Sequence, residues 1–285
     1  MKVKVLSTKF TSEEIIDRLE EDYRLFATNN YAIHDYKDSK GFYELDVYLA
    51  ESADETAFIS CLQESYPQLT DFKIDFQNQE DWFNKWKQSL KPIWLTDRFL
   101  VDPSMDESEE VKLIRLTPGM AFGTGYHETT RLTAELLEEY AQKGDLMLDL
   151  GCGSGILSIM GALLGCTVTA VDIDPLSIEA TRENCHKNKV ISSVTVMTSN
   201  LLESVEGKFR LICSNILYDV LVCLFNDEAK VLKSVIDESS TLIFSGLIMS
   251  QYDDFEKLLE ENGFSIVKKI TEGDWFSIAV KLKKI

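Results

Sequence analysis

The chain has 285 residues, 45% of them apolar and 27% charged, and its 48 acidic and 29 basic side chains give a net charge of −19. This length is enough for about two domains, and no apolar run approaches the ~20 residues that cross a bilayer. Because so negative a surface repels phosphate backbones, we expect no direct binding to nucleic acid, whereas a basic protein partner would be attracted.

Six cysteines lie far apart along the chain, at positions 61, 152, 166, 185, 213 and 223. No two of them form a CxxC pair, which disfavours a zinc site and a disulfide framework and favours reduced thiols. The first residues, MKVKVLSTKFTSEE, lack the apolar core of a signal peptide. We therefore expect a cytoplasmic protein that binds neither a metal nor a membrane.

Residues 1–77 alternate between strand-like and helical patterns. KVKVLST, FYELDVYLA and DFKIDF are typical of strands, and TSEEIIDRLEEDY and DETAFISCLQESY of helices. This order predicts a small ferredoxin-like α+β domain. Because it contains no cluster of candidate catalytic residues, we expect it to recognise the substrate.

A linker helix is predicted over residues 78–92. Trp82 and Trp86 are four residues apart and fall on one helical face, where packing between domains is their expected role, and Pro92 ends the helix.

From residue 93 to 285 strand and helix patterns repeat, which is typical of a mostly parallel, doubly wound sheet covered on both faces. LMLDL, TVTAVDI, SVTVMT, FRLICSNIL and STLIFSG are predicted strands, and RLTAELLEEY, ILSIMGALLG, DPLSIEATRENCHKN and QYDDFEKLLEENG are predicted helices. Asp174 is the expected N-cap of the third helix, with Pro175 at its first position. SIVKKITEGDWFSIAVKLKK predicts a terminal antiparallel hairpin.

A glycine-rich turn, DLGCGSG, follows the first of these strands. Its glycines are Gly151, Gly153 and Gly155. A ligand of a doubly wound sheet lies at such a turn, beyond the carboxyl ends of the strands. The third glycine comes one residue too early for the GxGxxG dinucleotide fingerprint. The carboxylate of Asp149, just before the turn, disfavours a pyrophosphate and favours a ligand that carries an ammonium group.

The next strand ends near Asp172, where an acid can accept hydrogen bonds from the ribose hydroxyls of a nucleoside. A nucleoside with an ammonium group and no phosphate describes S-adenosylmethionine. A helix cap or tight turn would explain one glycine and one aspartate. It does not explain Asp149, three glycines and Asp172 in register with two strands, so the pattern predicts a site for this cofactor.

Asn215, in SNILYD, stands at the end of the fourth core strand, where open α/β sheets place groups that act on the substrate. Its carbonyl can accept hydrogen bonds from an amine and direct the lone pair toward an electrophile. A lone asparagine is more often a turn residue, but its place after a buried strand favours the functional interpretation. Tyr218 in the same stretch is a further catalytic candidate.

The loop TPGMAFGTGYHETT comes just before the first core helix, and we expect it to cover the cofactor from the other side. Its candidate cofactor contacts are Phe122, Gly123, Thr124 and Thr130. Thr129 and Thr130 are also natural helix N-caps, and this structural role is as well supported as contact with a ligand. His127 is a candidate base. An amine target with a suitable pKa needs no base, and His127 would then orient the substrate.

These stretches together resemble the PrmA-type family, the ribosomal protein L-eleven methyltransferases of bacteria. The resemblance rests on EDWFNKWKQSLKPIWL, TPGMAFGTGYHETT, LDLGCGSGILSI, VDIDPLSIEATREN and SNIL. It implies a class I Rossmann-like domain of about seven strands behind the small domain, with cofactor contacts at Thr130, Gly151, Asp172 and Asn215. The implied reaction is repeated methylation of lysine ε-amines on the ribosomal stalk protein L-eleven, with an N-terminal amine as a second candidate target.

Other functions fit parts of the pattern. One is a methyltransferase of the same architecture that acts on another protein or on a small amine. Another is a non-catalytic protein that binds S-adenosylmethionine or docks basic partners, which the set of Asn215, Asp149 and the glycines disfavours. A nicotinamide-dependent reductase is disfavoured by the spacing of the glycines.

Overall fold

The computed structural model describes residues 2–10, 30–34, 43–50, 55–78, 92–102, 112–117, 125, 127–226 and 229–283. The chain divides into two compact units, Met1–Ser89 and Leu90–Ile285. The helix predicted over 11–23 and residues 79–91 of the predicted linker, with Trp82 and Trp86, lie outside the described residues.

An antiparallel sheet forms the first unit. Its strands are β1 (Lys2–Phe10), β2 (Asn30–His34), β3 (Tyr43–Ala50) and β4 (Thr70–Asn78), in the order β2-β3-β1-β4, and α1 (Glu55–Ser65) precedes β4. Leu6 of β1 lies opposite Val47 of β3. Both side chains are buried, because alternate residues of a strand face the core. The sequence does not predict β2, because its five residues NYAIH are too few to show a period. The ferredoxin-like arrangement stays a prediction, since it requires the helix over 11–23.

The second unit contains two sheets. The sequence does not predict the smaller one, which consists of β5 (Ile93–Trp94), β6 (Phe99–Val101) and β7 (Lys112–Ile114). The larger one consists of β8 (Leu146–Leu150), β9 (Thr167–Asp172), β10 (Val194–Thr198), β11 (Leu211–Asn215), β12 (Thr241–Ile248), β13 (Phe264–Glu272) and β14 (Trp275–Leu282). Its order is β10-β9-β8-β11-β12-β14-β13, parallel from β10 to β12 and antiparallel in the last two strands. This confirms the predicted Rossmann-like sheet with its terminal hairpin.

Helices cover both faces of the larger sheet. They are α2 (Glu128–Tyr140), α3 (Ile156–Leu164), α4 (Pro175–Lys187), α5 (Tyr218–Asn226), α6 (Ala229–Ser234) and α7 (Tyr252–Glu261). The first three pack in one apolar cluster with strand residues such as Met147, and the last three in a second cluster with Leu148. Neighbours along a strand point to opposite faces, so the two clusters lie on the two sides of the sheet.

A local sequence signal explains where α4 begins. Asp174 caps α4 as predicted, because its Oδ1 accepts a hydrogen bond from the backbone N–H of Leu176 at 2.9 Å, and Pro175 is the first helical residue. The sequence does not predict α5 and α6. Since only Ile216 and Leu217 separate β11 from α5, local patterns do not show that the apolar run starting at Leu211 ends a strand and is followed directly by a helix.

The described residues contain neither a helix that could span a membrane nor a cluster of candidate metal ligands. Among the helices that the structure describes, none is long and apolar enough to cross a bilayer. Within the same residues, no group of three or more His, Cys, Asp and Glu side chains is arranged to hold a metal ion.

Candidate functional site

The predicted glycine turn joins the carboxyl ends of β8 and β9. The backbone N–H groups of Gly151 and Cys152 donate to the carbonyl oxygen of Val171 at 2.8 and 3.0 Å. Gly153 donates its N–H to Asp172 Oδ2 at 2.9 Å, and Gly155 is the N-cap residue of α3. Backbone hydrogen bonds therefore hold the glycine turn against the end of β9 and Asp172.

Asp172 ends β9 with its carboxylate oriented by backbone groups. Oδ2 accepts from Gly153, and Oδ1 accepts from the N–H of Asp174 at 3.0 Å. A carboxylate oxygen can accept more than one hydrogen bond. The half-buried side chain thus keeps acceptor capacity for hydroxyl groups of a ligand while its direction is fixed.

Asp149 is the buried acid of the site, with 1% of its surface exposed. Its Oδ2 accepts a hydrogen bond from the hydroxyl of Ser158 at 2.5 Å, whereas its Oδ1 has no hydrogen-bond partner among the described residues. Burial raises the pKa of this carboxyl from 3.8 to about 6. A buried acceptor without a partner is costly, so Asp149 would gain from a donor, above all a positively charged one.

Asn215 ends β11 and lies beside the first turn of α2. Its Nδ2 donates to Thr130 Oγ1 at 3.4 Å, across 85 positions of the chain. Ser214, one residue earlier, donates its hydroxyl to the carbonyl oxygen of Leu150 at 3.0 Å and ties β11 to the end of β8. The structure thereby brings together two side chains that the sequence assigns to one site.

Ile216 connects this pair to the glycine turn. Gly151 has a φ of +80°, and a Cβ added to it would lie 2.4 Å from Cγ2 of Ile216. Only glycine tolerates both this backbone conformation and this approach. The glycine at 151 therefore makes room for the segment that follows Asn215, in addition to any contact with a ligand.

The cap of α2 differs from the prediction. His127, and not Thr129 or Thr130, is the N-cap residue. Its Nδ1 accepts from the N–H of Thr129 at 3.2 Å and lies 2.8 Å from the hydroxyl oxygen of Thr129. The prediction is wrong because a histidine ring nitrogen can accept the bond that a threonine hydroxyl usually accepts. Both threonines lie inside the first turn and are buried.

The ring of His127 is fixed and partly buried. It packs edge-on against Trp275, with 4.6 Å between the ring centroids. Burial lowers the pKa of His127, opposed by the nearby carboxylate of Glu128. A neutral imidazole is the form that accepts a cap hydrogen bond, and a helix N-terminus disfavours a positive charge. The described contacts of His127 are those of a structural residue.

Tyr218 is the first residue of α5, and its ring packs against Phe255 of α7 at 6.1 Å between centroids. Burial raises its pKa, and the carboxylates of Asp254 and Asp219 act in the same direction. The phenol therefore stays protonated at neutral pH. Its predicted catalytic role stays a prediction, as do the cofactor contacts of Phe122, Gly123 and Thr124, which lie outside the described residues.

A family model described as ribosomal protein L11 methyltransferase (PrmA) matches residues 4–283. The chain belongs to this family. It is 35% identical to the ribosomal protein L11 methyltransferase of Alkaliphilus oremlandii over 83% of this chain and 78% of the relative. For the protein of the same name from Bacillus subtilis the identity is 35%, over 87% of this chain and 82% of the relative. A crystal structure of a ribosomal protein L11 methylase from Lactobacillus delbrueckii subsp. bulgaricus aligns with 68% of this chain and 100% of its own, at 34% identity and a TM-score of 0.62.

The site of this methyltransferase fits a ligand that carries both an amine and a ribose. The unpartnered Oδ1 of Asp149 suits a cationic donor, and the oriented carboxylate of Asp172 suits a pair of hydroxyls. The glycine turn lies between them in the chain, and an added Cβ would meet Ile216 at Gly151 and Thr181 at Gly155. These residues would hold the nucleoside and amino-acid parts of such a cofactor.

Sequence reasoning misses two residues that lie against the segment of Asn215 and Ile216, Ser245 and Gly246 of β12. Ser245 lies opposite Asn215 in the pairing of β11 with β12, and Gly246 lies against the backbone of Ile216. A glycine inside the apolar strand pattern TLIFSGLI is a signal for a bulge or a close backbone approach. That signal does not tell which segment approaches.

Proposed function

We propose that this methyltransferase uses S-adenosylmethionine as its methyl donor. The observation that carries the proposal is the unpartnered, buried Oδ1 of Asp149 beside a glycine turn whose Gly153 orients Asp172. Asp149 would accept from the amine of the cofactor and Asp172 from its ribose hydroxyls. Bound there, the cofactor supplies an electrophilic methyl group on a sulfonium.

We further propose that the methyl group is transferred to lysine ε-amines of ribosomal protein L11, with its N-terminal amine as a second target. Membership of a family named for this substrate supports the choice. The net charge of −19 also supports it, because an acidic enzyme attracts a basic protein electrostatically. Asn215 supports an amine as the acceptor, since an amide carbonyl oxygen accepts hydrogen bonds from N–H groups.

Asn215 would act by orienting the amine. Its Nδ2 is engaged by Thr130, which directs the carbonyl oxygen Oδ1 of the same amide away from that contact and toward an incoming N–H. A lysine has a pKa near 10.4 in water, so only a small fraction is neutral at pH 7. Desolvation in the site would lower that pKa without a dedicated base, which agrees with the structural contacts of His127.

The division of labour in the chain is part of this proposal. Residues 1–77 would recognise the protein substrate, residues 78–92 would link the domains, and residues 93–285 would bind the cofactor and carry out the transfer. The candidate chemistry supports this assignment, because every candidate site residue lies after position 93.

Total ribosomal proteins incubated with the full-length enzyme and methyl-labelled S-adenosylmethionine test the proposal. We expect label in L11, and peptide mass spectrometry should assign it to lysine ε-amines or the N-terminal amine. Asn215→Ala serves as the matched control and should label L11 about 100-fold more slowly. Label only in another protein would overturn the substrate, and absence of label despite measurable cofactor binding would overturn the catalytic function.

A further inference from the structure

β12 contains an irregularity at the point where it passes the site. Its pairing with β14 shifts between Phe244 and Leu247, so that one extra residue is accommodated at Ser245–Gly246. Gly246 has a φ of +84°, in the left-handed region. We call Ser245–Gly246 the β12 bulge.

The backbone of Ile216 lies directly on the β12 bulge. A Cβ added to Gly246 would lie 2.2 Å from the carbonyl oxygen of Ile216 and 2.9 Å from its carbonyl carbon. Real Cβ atoms do not approach backbone atoms so closely, and a carbonyl cannot rotate away as a side chain can. Any side chain at 246 must therefore displace Ile216, which is bonded to Asn215.

The other residue of the β12 bulge, Ser245, contacts the residue that precedes Thr130, the partner of Asn215. The buried hydroxyl of Ser245 lies 3.3 Å from the carbonyl oxygen of Thr129 and 3.5 Å from that of Phe276. Thr129 immediately precedes Thr130, whose hydroxyl accepts from Asn215. The bulge thus touches the chain next to both members of the Asn215–Thr130 pair.

We propose that the β12 bulge is the positioning element of the methyl-transfer step. Gly246 sets the position of Ile216, and through it the position of Asn215, while Ser245 holds the first turn of α2 so that Thr130 meets Asn215. This inference rests on the proposed role of Asn215. It adds that residues outside any contact with the cofactor or the amine determine the geometry of transfer, where small displacements reduce rates strongly.

Gly263 offers a matched control for backbone strain. It has the same φ of +84°, but a Cβ added to it would meet nothing within 4 Å. Gly246→Ala and Gly263→Ala therefore force alanine to the same unfavourable φ, and only the first introduces the collision with Ile216. A difference between the two variants reports the collision.

The test compares the full-length wild type with both variants. We expect Gly246→Ala to lower kcat by about 100-fold while KM for S-adenosylmethionine changes less than about threefold, because the hydrogen bonds that hold Asp149 and Asp172 do not involve β12 or Ile216. Gly263→Ala should keep kcat within about twofold of the wild type. A kcat of Gly246→Ala close to that of Gly263→Ala would refute the positioning role.

A second readout is independent of activity. The side-chain amide signals of Asn215 in ¹H–¹⁵N spectra, assigned by their loss in Asn215→Ala, should shift in Gly246→Ala and stay in place in Gly263→Ala. Unchanged signals in Gly246→Ala would overturn the inference, whether or not the wild type transfers a methyl group. A wild type that transfers no methyl group would overturn the proposed function, but not the effect of Gly246 on the position of Asn215. If Gly246→Ala does not fold, Ser245→Ala replaces it. That variant adds no volume and should lower kcat without raising KM for the cofactor, and an unchanged kcat would contradict the proposal.

Discussion

Replacing Asp149 with asparagine should stabilise the folded protein at neutral pH and weaken cofactor binding at the same time. The carboxyl is buried, and its pKa rises from 3.8 to about 6 because burial disfavours the charged form. Each pKa unit corresponds to 1.36 kcal/mol, so holding this carboxylate ionised in the folded state costs about 3 kcal/mol above pH 6. Asparagine has nearly the same shape, carries no charge and can still accept from Ser158.

The pH dependence follows from the direction of the shift. Between about pH 4 and pH 6 the unfolded chain has released the proton of Asp149, whereas the folded protein still binds it. The contribution of Asp149 to folding stability is therefore lost as the pH rises through this window and stays constant above it. The free energy of unfolding of Asp149→Asn, minus that of the wild type, should increase by about 3 kcal/mol over the same window and then level off.

Urea unfolding followed by tryptophan fluorescence, at pH steps from about 4 to 8, measures this difference. Asp237→Asn is the control, because Asp237 is exposed and hydrogen bonds from Ser239 lower its pKa. The free energy of unfolding of Asp237→Asn, minus that of the wild type, should not increase between pH 4 and pH 6. A stability difference between Asp149→Asn and the wild type that does not vary with pH would refute the assignment of a buried, charged Asp149.

Cofactor binding supplies the second half of the prediction. A charge-assisted hydrogen bond is worth roughly 1.5–3 kcal/mol, so we expect Asp149→Asn to bind S-adenosylmethionine about tenfold or more weakly in isothermal titration calorimetry. The site would then trade stability for affinity. A variant that is more stable but binds the cofactor as tightly as the wild type would show that Asp149 does not meet the amine.

The remaining predictions concern single positions and the first unit. Asp172→Ala should weaken S-adenosylmethionine binding by ~1.5–3 kcal/mol, and calorimetry showing unchanged affinity in a folded variant would contradict the ribose assignment. Asn215→Ala should lower kcat by ~100-fold, and wild-type rates should rise with pH as the amine becomes neutral. His127→Ala should mainly lower the free energy of unfolding, by ~1 kcal/mol, because the helix cap is lost. If steady-state kinetics show a larger loss of kcat for His127→Ala than for Asn215→Ala, His127 is the catalytic residue. A chain that starts at about residue 78 should bind the cofactor normally but not methylate L11, and methylation at the full-length rate would disprove substrate recognition by residues 1–77.

Patterns that depend on neighbouring residues are predictable from the sequence. The strand LMLDL, the Asp174 cap with Pro175 and the terminal hairpin all follow from signals within one element, and the structure confirms them. The same local reasoning is wrong about the cap of α2, because histidine is not among the preferred N-cap residues and two threonines stand close after it, at positions 129 and 130.

The sequence by itself determined where the strands of the larger sheet lie along the chain, the glycine turn and the acids at the strand ends, because each depends on residues adjacent in the chain. Only the tertiary structure decided which strand ends meet. Asn215 reaches Thr130 across 85 positions, and Ser245 reaches Thr129 across 116. Such contacts arise from the strand order, which places β11 between β8 and β12. The collapse of both apolar faces onto that sheet then brings the Ile216 backbone onto Gly246, a proximity that no local pattern encodes.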